Sequence, residues 1–464
     1  MSSRLTEIPY HRNTADLFGL IADEPWSIFL DSGYPSIDRG RFDFISARPR
    51  KTLLSYGPDT HIDNQCETRT STEDPFVLLK QELGEKAANL TDFPFSGGAM
   101  GYFAYDLGRR IEELPEHAEN DLGMPDMAIG IYDWVVVVDH HRRRAWLTNQ
   151  GPHRLSDERW EELSDLFHST PCPRLQQFTV RSNVILNTAK ELYASSFEKI
   201  KRYILEGDCY QVNLTQRFSV DVQAEPWDIY LKLRENNPAP FAAYFNAPGA
   251  CVLSSSPERF LSITGGNVET KPIKGTIRRA SYANEDKALA EQLLESDKDR
   301  AENLMIVDLM RNDISKNCES GSVSVPRLFA LESYATVHHL VSTVTGRLKT
   351  GKHALDLLRG CFPGGSITGA PKLRAMEIIE ELEPYRRNIY CGSIGYVGFD
   401  GNMDTNIAIR TMAHAEGKVH CWAGGGIVAD SELESEYQEC FEKAAAMLRL
   451  FEKELPRTKS ARQS

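Results

Sequence analysis

A lysine stands at position 274 in the stretch KPIKGT, residues 271–276, between an X-Pro step and Gly275. Such a residue is either a surface charge or a nucleophile set in the floor of a site. A nucleophilic amine must be neutral, and at an unperturbed pKa near ~10.4 only about one lysine in ~2,500 is deprotonated at pH 7. Burial or a neighbouring cation has to lower that value. Carboxylates recur at helical spacing elsewhere. Glu432, Glu436 and Glu439 share one face of a C-terminal helix whose apolar stripe is Tyr437, Phe441, Ala444, Leu448 and Phe451. Acids in a first turn also answer the helix dipole, and a charged face is usually a solvated one. A second helix, through DRAENLMIVDLMRNDI, is apolar nearly all round and is expected to be buried on every side, yet it carries Asp299 and Glu302 at its start and Asp308 further on. Buried carboxylates need a partner or a metal. Glu302 with Glu439 suits Mg²⁺, which takes one or two protein carboxylates, keeps several waters and accepts substrate oxygens.

Arg410, in IAIRTM, alternates with Ala408 in an expected strand, where its fork of donors either captures a carboxylate or merely solubilises an edge. Gly424, Gly425 and Gly426 follow an expected strand and precede a helix. Bare α-carbons there let a backbone approach a ligand and aim amides at an anion, though a tight turn also uses glycine. FPGGSITGAPK has Gly364 and Gly369 at the spacing of a nucleotide loop, but Ala370-Pro371 replaces its Lys-Ser/Thr, so a Gly-rich turn entering a helix at Pro371 is expected instead. His339, beside His338 next to an apolar run, is given a supporting polar role.

The elements that must position these groups read as follows. Residues 25–150 form short strand-like runs divided by turns, including a hairpin in DWVVVVDHHRRRAWLTN. A polar, Pro-bearing stretch at 151–190 reads as a connection between an N-terminal region, 1–150, and a second domain, 191–455, with a disordered tail at 456–464. The second region opens with a helix closed by Gly207, continues with strands in CYQVNLTQRFSV, FAAYFN, CVLSSS and RFLSITGGNVET, and later holds strands in GSIGYVGF, TNIAIRTMAH and KVHCWAG. Hairpin-like succession outweighs strand-helix alternation, which predicts an α+β fold of large antiparallel sheets packed as a sandwich and flanked by helices.

At 464 residues, 41% apolar and 26% charged, the chain is long enough for a sizeable core. Its formal net charge of −13, spread along the sequence, argues against nucleic acid as a partner. No run has the apolar length of a signal peptide or a membrane span, so a cytoplasmic protein is expected. Nine scattered cysteines without a C-x-x-C pair read as reduced thiols.

CYQVNLTQRF, SSSPERF, KPIKGT, DRAENLMIVDLMRND, GGSITGAPK, NMDTNIAIRT and AGGGIVADS, taken in that order, resemble the chorismate-utilising enzymes. The resemblance is dense from about 200 to 450 and looser in the N-terminal third. It implies a Mg²⁺-dependent attack on chorismate, with Glu302 and Glu439 matching the metal ligands and Asp299 and Glu436 close behind them. Arg410, Tyr396 and the amides of Gly424 to Gly426 match positions that hold substrate carboxylates, and Thr276, His339 and Gln211 are expected beside them. Glu258, in SPERF, matches the acid that assists departure of the ring hydroxyl. Hydrating members of the family have a lysine where Gln211 stands, and anthranilate-forming members resemble PIAGT where this chain has PIKGT. The resemblance therefore implies that Lys274 is a nucleophile and that chorismate is aminated at C4, with ammonia supplied by a separate glutamine amidotransferase, since no glutaminase elbow occurs in the chain. It further implies a tryptophan pocket lined by Ser32, Arg39, Gly40, Arg41, Phe42, Pro240, Phe241 and Ala242. The rival expectations are an anthranilate synthase large subunit and a catalytically inactive tryptophan-binding regulatory subunit.

Overall fold

Runs such as VVVV at 135–138 are apolar at every position because the sheet that holds them is buried on both faces. Val137 packs inward with Phe44, Phe245, Val252 and Trp422, whereas Val136 and Val138 turn outward with Ile45, Tyr244, Leu253 and Cys421. The computed structural model describes residues 4–452 except 90, 172–177 and 335–336; the tail expected to be disordered lies outside the described residues. Two large sheets dominate. The first, of 13 strands, runs in spatial order Arg4–Ile8, Arg144–Asn149, Val135–Asp139, Phe42–Ser46, Ile28–Asp31, Phe241–Ala247, Ala250–Ser256, Thr411–Ala415, Lys418–Ile427, Gln211–Ala224 and Phe178–Val180, with Ile185–Leu186 and Gly369–Ala370 also on Gln211–Ala224. The second, of 12, runs Ile273–Arg278, Val337–Arg347, Asn267–Thr270, Arg259–Thr264, Met403–Asn406, Ser393–Gly398, Gly98–Phe103, Met127–Tyr132, Lys51–Tyr56, Asp59–Asp63 and Thr68–Ser71, with Ser324–Ser333 on Val337–Arg347.

The ladders are antiparallel, as expected from hairpin succession. One apolar core fills the space between the sheets, joining Phe44, Phe245 and Trp422 of the first to Leu53, Met100, Ile263 and Met403 of the second. The outer face of the first sheet is covered by helices Asp157–His168, Pro226–Asn236 and Leu433–Leu448 through Phe167, Trp227 and Met447.

Each sheet is a composite. Strands from residues before 150 form one contiguous block in it and strands from later residues the other. The blocks meet in single ladders, Asp31↔Ala242 to Ile28↔Phe245 in the first sheet and Phe103↔Ser393 to Gly98↔Gly398 in the second. The stretch at 151–190 is more than a plain connection, because it carries the helix Asp157–His168 and two short strands on Gln211–Ala224. Its polar, Pro-bearing composition marks a surface course and does not say which strands it docks on.

Other expectations differ in detail. The hairpin Val135–Asp139 with Arg144–Asn149 forms as expected, and the helix Lys190–Glu206 ends at Gly207 in the left-handed conformation. The run RFLSITGGNVET is a hairpin of two strands. The helix Asp297–Ser315 is not buried on every side: Leu304 is 52% exposed, and Asp308 lies at the surface beside Arg311. Its buried residues, Asn303, Ile306, Val307, Met310, Asp313 and Ile314, follow a helical stripe that the surplus of exposed apolar residues conceals.

Candidate active site

Two of the places where the chain passes from one sheet to the other lie against each other. Ser256-Pro257-Glu258 carries it from Ala250–Ser256 to Arg259–Thr264, and residues 407–410 carry it back from Met403–Asn406 to Thr411–Ala415. The two crossings are bonded together: Ile407 N–H donates to Glu258 O at 3.0 Å, Ser255 N–H to Arg410 O at 3.0 Å, and the Ser256 hydroxyl to Ile407 O at 2.6 Å. Arg410 is therefore not a strand residue as its alternation suggests. It sits at φ 51°, in the left-handed region, where the chain changes sheets. Its guanidinium has no hydrogen bond or ion pair among the described residues, burial works against its charge, and that charge reaches His339.

The Glu258 carboxyl is buried, which pushes its pKa up to about 7 against the opposing pull of the Ser366 hydroxyl, the Lys274 ammonium and the Ile273 amide. Ser366 Oγ donates to Glu258 Oε1 at 2.9 Å. A carboxyl placed there is a ready proton donor near neutral pH.

Lys274 lies in the strand Ile273–Arg278, whose register against Val337–Arg347 shifts between Ile273 and Thr276. This bulge, with Gly275 at φ 82°, redirects the side chain from the regular pleat. Lys274 Nζ meets Glu302 Oε1 at 2.7 Å, and Gln211 Nε2 donates to the same oxygen at 3.0 Å. Burial acts to raise the Glu302 pKa, but the charge and hydrogen bond of Lys274, the charge of Lys443 and the Gln211 amide outweigh it and hold the carboxyl below its ordinary range. Gln211 Oε1 is buried without a partner among the described residues. Asp299, capped at its amide by Ser296, stands against Gly275, where an added Cβ would lie 3.0 Å from its carboxyl carbon.

Thr276 and His339 face each other across the ladder, and Thr276 Oγ1 and His339 Nδ1 are 2.8 Å apart. Burial, together with the charge of Arg410, pushes the His339 pKa down to about 4. A neutral imidazole is thus maintained at neutral pH.

The helix Leu433–Leu448 brings Glu436 and Glu439 to the strand Lys418–Ile427; Glu432 caps the helix and is exposed. A Cβ on Gly425 would lie 3.0 Å from Glu436 Oε2 and 3.3 Å from Glu439 Oε1, so the bare α-carbon is what admits the two carboxylates. Glu436 is buried, accepts from Ser431 Oγ at 2.7 Å, and has its pKa raised by burial and by Glu439. Glu439 Oε1 pairs with Lys443 Nζ at 2.5 Å, and that ammonium also donates to Gly424 O at 3.1 Å. The three glycines are not in a loop after the strand. They lie within it, paired with Thr215, Leu214 and Asn213, so part of their backbone bonding is spent on the ladder.

Tyr396 is not brought to this group. It packs on Phe95 and Phe44, on the strand of the later block that pairs with Gly98–Phe103, and lines a cavity of about 960 Å³. That cavity gathers Ser32, Arg39, Gly40, Arg41, Phe42, Pro240, Phe241 and Ala242, all eight residues expected to line the second pocket. It lies where the two blocks of strands meet. Behind its wall Asp43 Oδ1 accepts from the Ser32 amide and hydroxyl at 2.8 and 2.7 Å, and Arg41 stacks over Phe42 with its charge on Asp139.

Two groups escaped the sequence reading. Ser366 stands in GGSITGAPK, a stretch read only as a turn, and Lys443 is signalled only by its position four residues after Glu439.

The family model for chorismate binding enzymes matches residues 28–449, a span that takes in every described strand of the two sheets but Arg4–Ile8. The chain belongs to the chorismate binding enzymes. Aminodeoxychorismate synthase component 1 of Escherichia coli (strain K12) is 47% identical over 452 residues, covering 94% of this chain and 95% of its own length. Its counterpart from Klebsiella aerogenes is also 47% identical, over 97% and 100%. Among solved structures, anthranilate synthase component I from Streptococcus pneumoniae superposes with a TM-score of 0.78 at 33% identity, covering 89% of this chain and 93% of that one. The menaquinone-specific isochorismate synthase MenF of Escherichia coli, with a TM-score of 0.72 at 18% identity over 97% and 95%, shares the fold. As a chorismate-utilising enzyme, the chain has Lys274, Glu302 and Gln211 in direct contact, and Ser366 bonded to Glu258, which the charge of Lys274 reaches. No helix among its described residues is long and apolar enough to cross a membrane.

Proposed function

We propose that this enzyme is the chorismate-aminating component of an aminodeoxychorismate synthase, replacing the C4 hydroxyl of chorismate by an amino group on the route to p-aminobenzoate and folate. The observation that carries the reading is Lys274 itself, turned by its bulge onto Glu302, with the neutral-pH acid Glu258 close enough to feel its charge. The identity to relatives named aminodeoxychorismate synthase component 1 across nearly their whole length supports it over anthranilate formation. Their designation as component 1 supports a separate subunit that delivers ammonia from glutamine.

Arg410, a half-buried cation with no protein partner among the described residues, suits one substrate carboxylate, and its placement at a crossing between sheets fixes its direction. The neutral amine of Lys274 forms a bond to ring C2, the two ring double bonds shift to C1–C6 and C4–C5, and the C4–O bond breaks. Glu258 gives its proton to the departing oxygen, which leaves as water. Ammonia then bonds to C4, the C2–N bond breaks, and its electron pair returns to the lysine, while Glu258 recovers a proton from the incoming nitrogen. Gln211, an amide where hydrating relatives have a lysine, leaves no side-chain base to activate water at that place. Glu302 and Glu439 would hold Mg²⁺, with Glu436 and Asp299 close by. The hard oxygen donors and the bare Gly425 against which two of them rest fit such an ion, whose charge would bind and polarise substrate carboxylate oxygens.

We read the 960 Å³ cavity as a tryptophan site, supported by its apolar Phe42, Pro240 and Phe241 walls beside Ser32, Asp31 and Arg41. Tryptophan released on denaturing the purified protein would support that reading. For the reaction, chorismate, Mg²⁺ and an ammonium salt are incubated with the chain and the product is identified by chromatography and mass. 4-Amino-4-deoxychorismate without pyruvate is expected; anthranilate with pyruvate would overturn C4 amination. Lys274→Ala should abolish amination and leave chorismate binding largely intact, and undiminished turnover by that variant would refute the covalent step.

A further inference from the structure

Three carboxylates of the site each carry one lysine. Glu302 holds Lys274 at 2.7 Å, Glu439 holds Lys443 at 2.5 Å, and Glu436 has Lys298 at 3.9 Å. The lysines come from three different elements: the bulged strand, the C-terminal helix and the start of the Asp297–Ser315 helix. The Lys443 contact is also more than an ordinary pair one helical turn apart. Such pairs on exposed helices are common and weak, but this ammonium reaches past its own helix to the carbonyl of Gly424, next to the bare Gly425 on which Glu436 and Glu439 rest. Its charge extends to Glu302 and Glu258 as well.

We propose that these ammonium groups occupy the place of a divalent cation, so that metal enters by exchange with Lys443 and Lys274, and that Lys443 sets the affinity for the ion. The proposal rests on reading Glu302 and Glu439 as the metal-holding pair. Two cations cannot share one carboxylate oxygen at contact distance without strong repulsion, so an ion bound at Glu439 requires Lys443 to move aside. Its side chain, about half exposed on a flexible four-carbon stem, has solvent to move into. The same exchange at Glu302 detaches Lys274 from its carboxylate. Metal arrival and release of the nucleophile thereby become one event, and the enzyme needs no other partner to keep its acidic cluster from repelling itself when the ion is absent.

The test is direct titration of Mn²⁺ into the full chain without chorismate, at fixed ionic strength, following the free-ion electron paramagnetic resonance signal. Removing one unit charge at ~4 Å in a largely aqueous dielectric corresponds to at least about a fivefold gain in affinity. Lys443→Gln should therefore bind Mn²⁺ at least about fivefold more tightly than the native chain, Lys298→Gln slightly more tightly, and Lys443→Arg no more tightly, while Glu439→Gln binds more weakly. Unchanged or weaker binding by Lys443→Gln, with Glu439→Gln still impaired, overturns the exchange but leaves the metal pair standing. Equal binding by the native chain and Glu439→Gln overturns both. Lys298 and Lys443 are both solvent-accessible, so a folding defect in one variant leaves the other to decide the sign.

Discussion

Replacing Glu258 by glutamine should make the protein more stable at pH 8 and a poorer catalyst at the same time. The carboxyl is wholly enclosed, and burial raises its pKa from an ordinary 4.5 to about 7. The folded chain therefore prefers the protonated form. Its contribution to stability is complete below about pH 4.5, declines as the pH rises, and is gone once the pH has passed through about 7. A displacement of this size corresponds to about 3 kcal/mol. Glutamine has the shape of the protonated acid and does not titrate, so Glu258→Gln should match the native chain at pH 4.5 and exceed it by up to about 3 kcal/mol at pH 8. Denaturant unfolding of both chains at a series of pH values, in the presence of a chelator, measures the difference, and titrations common to both cancel in it. The turnover assay runs in the opposite sense. The native rate should fall above pH 7 as the acid loses its proton, whereas the variant should be about 10²- to 10⁴-fold slower and lose that limb of the profile. A stability difference that stays constant from pH 4.5 to 8 would refute the claim that Glu258 is held protonated by the fold.

Arg410→Asn keeps a residue tolerant of the left-handed backbone and removes the half-buried cation; KM for chorismate should rise about 10- to 100-fold with a smaller change in kcat. A selective fall in kcat would assign Arg410 to the chemical step instead. Gly275→Ala places a Cβ 3.0 Å from both the Asp299 carboxyl carbon and Leu293 Cδ1 at a backbone φ of 82°. A loss of about 1–3 kcal/mol in urea unfolding, together with slowed amination, is expected, and an unstrained variant would show that the bulge does not aim Lys274.

Part of this group could be read from residue types and spacing alone. Lys274 stands out between a proline and a glycine, and Glu302 at the start of a largely apolar helix, whereas Glu258 and Glu439 stand out through the family resemblance, because a carboxylate on the charged face of a helix is ordinarily a solvated one. Geometry between distant stretches could not be read in the same way. Alternation in GSIGYVGF puts Tyr396 on an inward face but does not say at which end of the sandwich, and it falls in the cavity rather than beside Arg410. Alternation in IAIRTM imitates a strand, whereas the decisive feature, the turn of the backbone at Arg410, has no signature in a residue that can adopt either conformation. The interleaving of early and late strands depends on pairings some 200 residues apart, as between Asp31 and Ala242, and local pattern carries no information about partners that remote.

The joint between the two blocks of strands also bears on how such chains can be inherited. A genetic exchange within 151–190 moves one whole block of each sheet, and among the described residues the sheet pairing it must re-form is four residue pairs around Asp31 and six around Phe103. Backbone ladders are indifferent to most side chains, so the hybrid can keep its sheets. The cavity at that joint draws its wall from both parents, and a descendant of this kind would keep Lys274 and its neighbours while acquiring a newly assorted appetite for whatever the cavity holds.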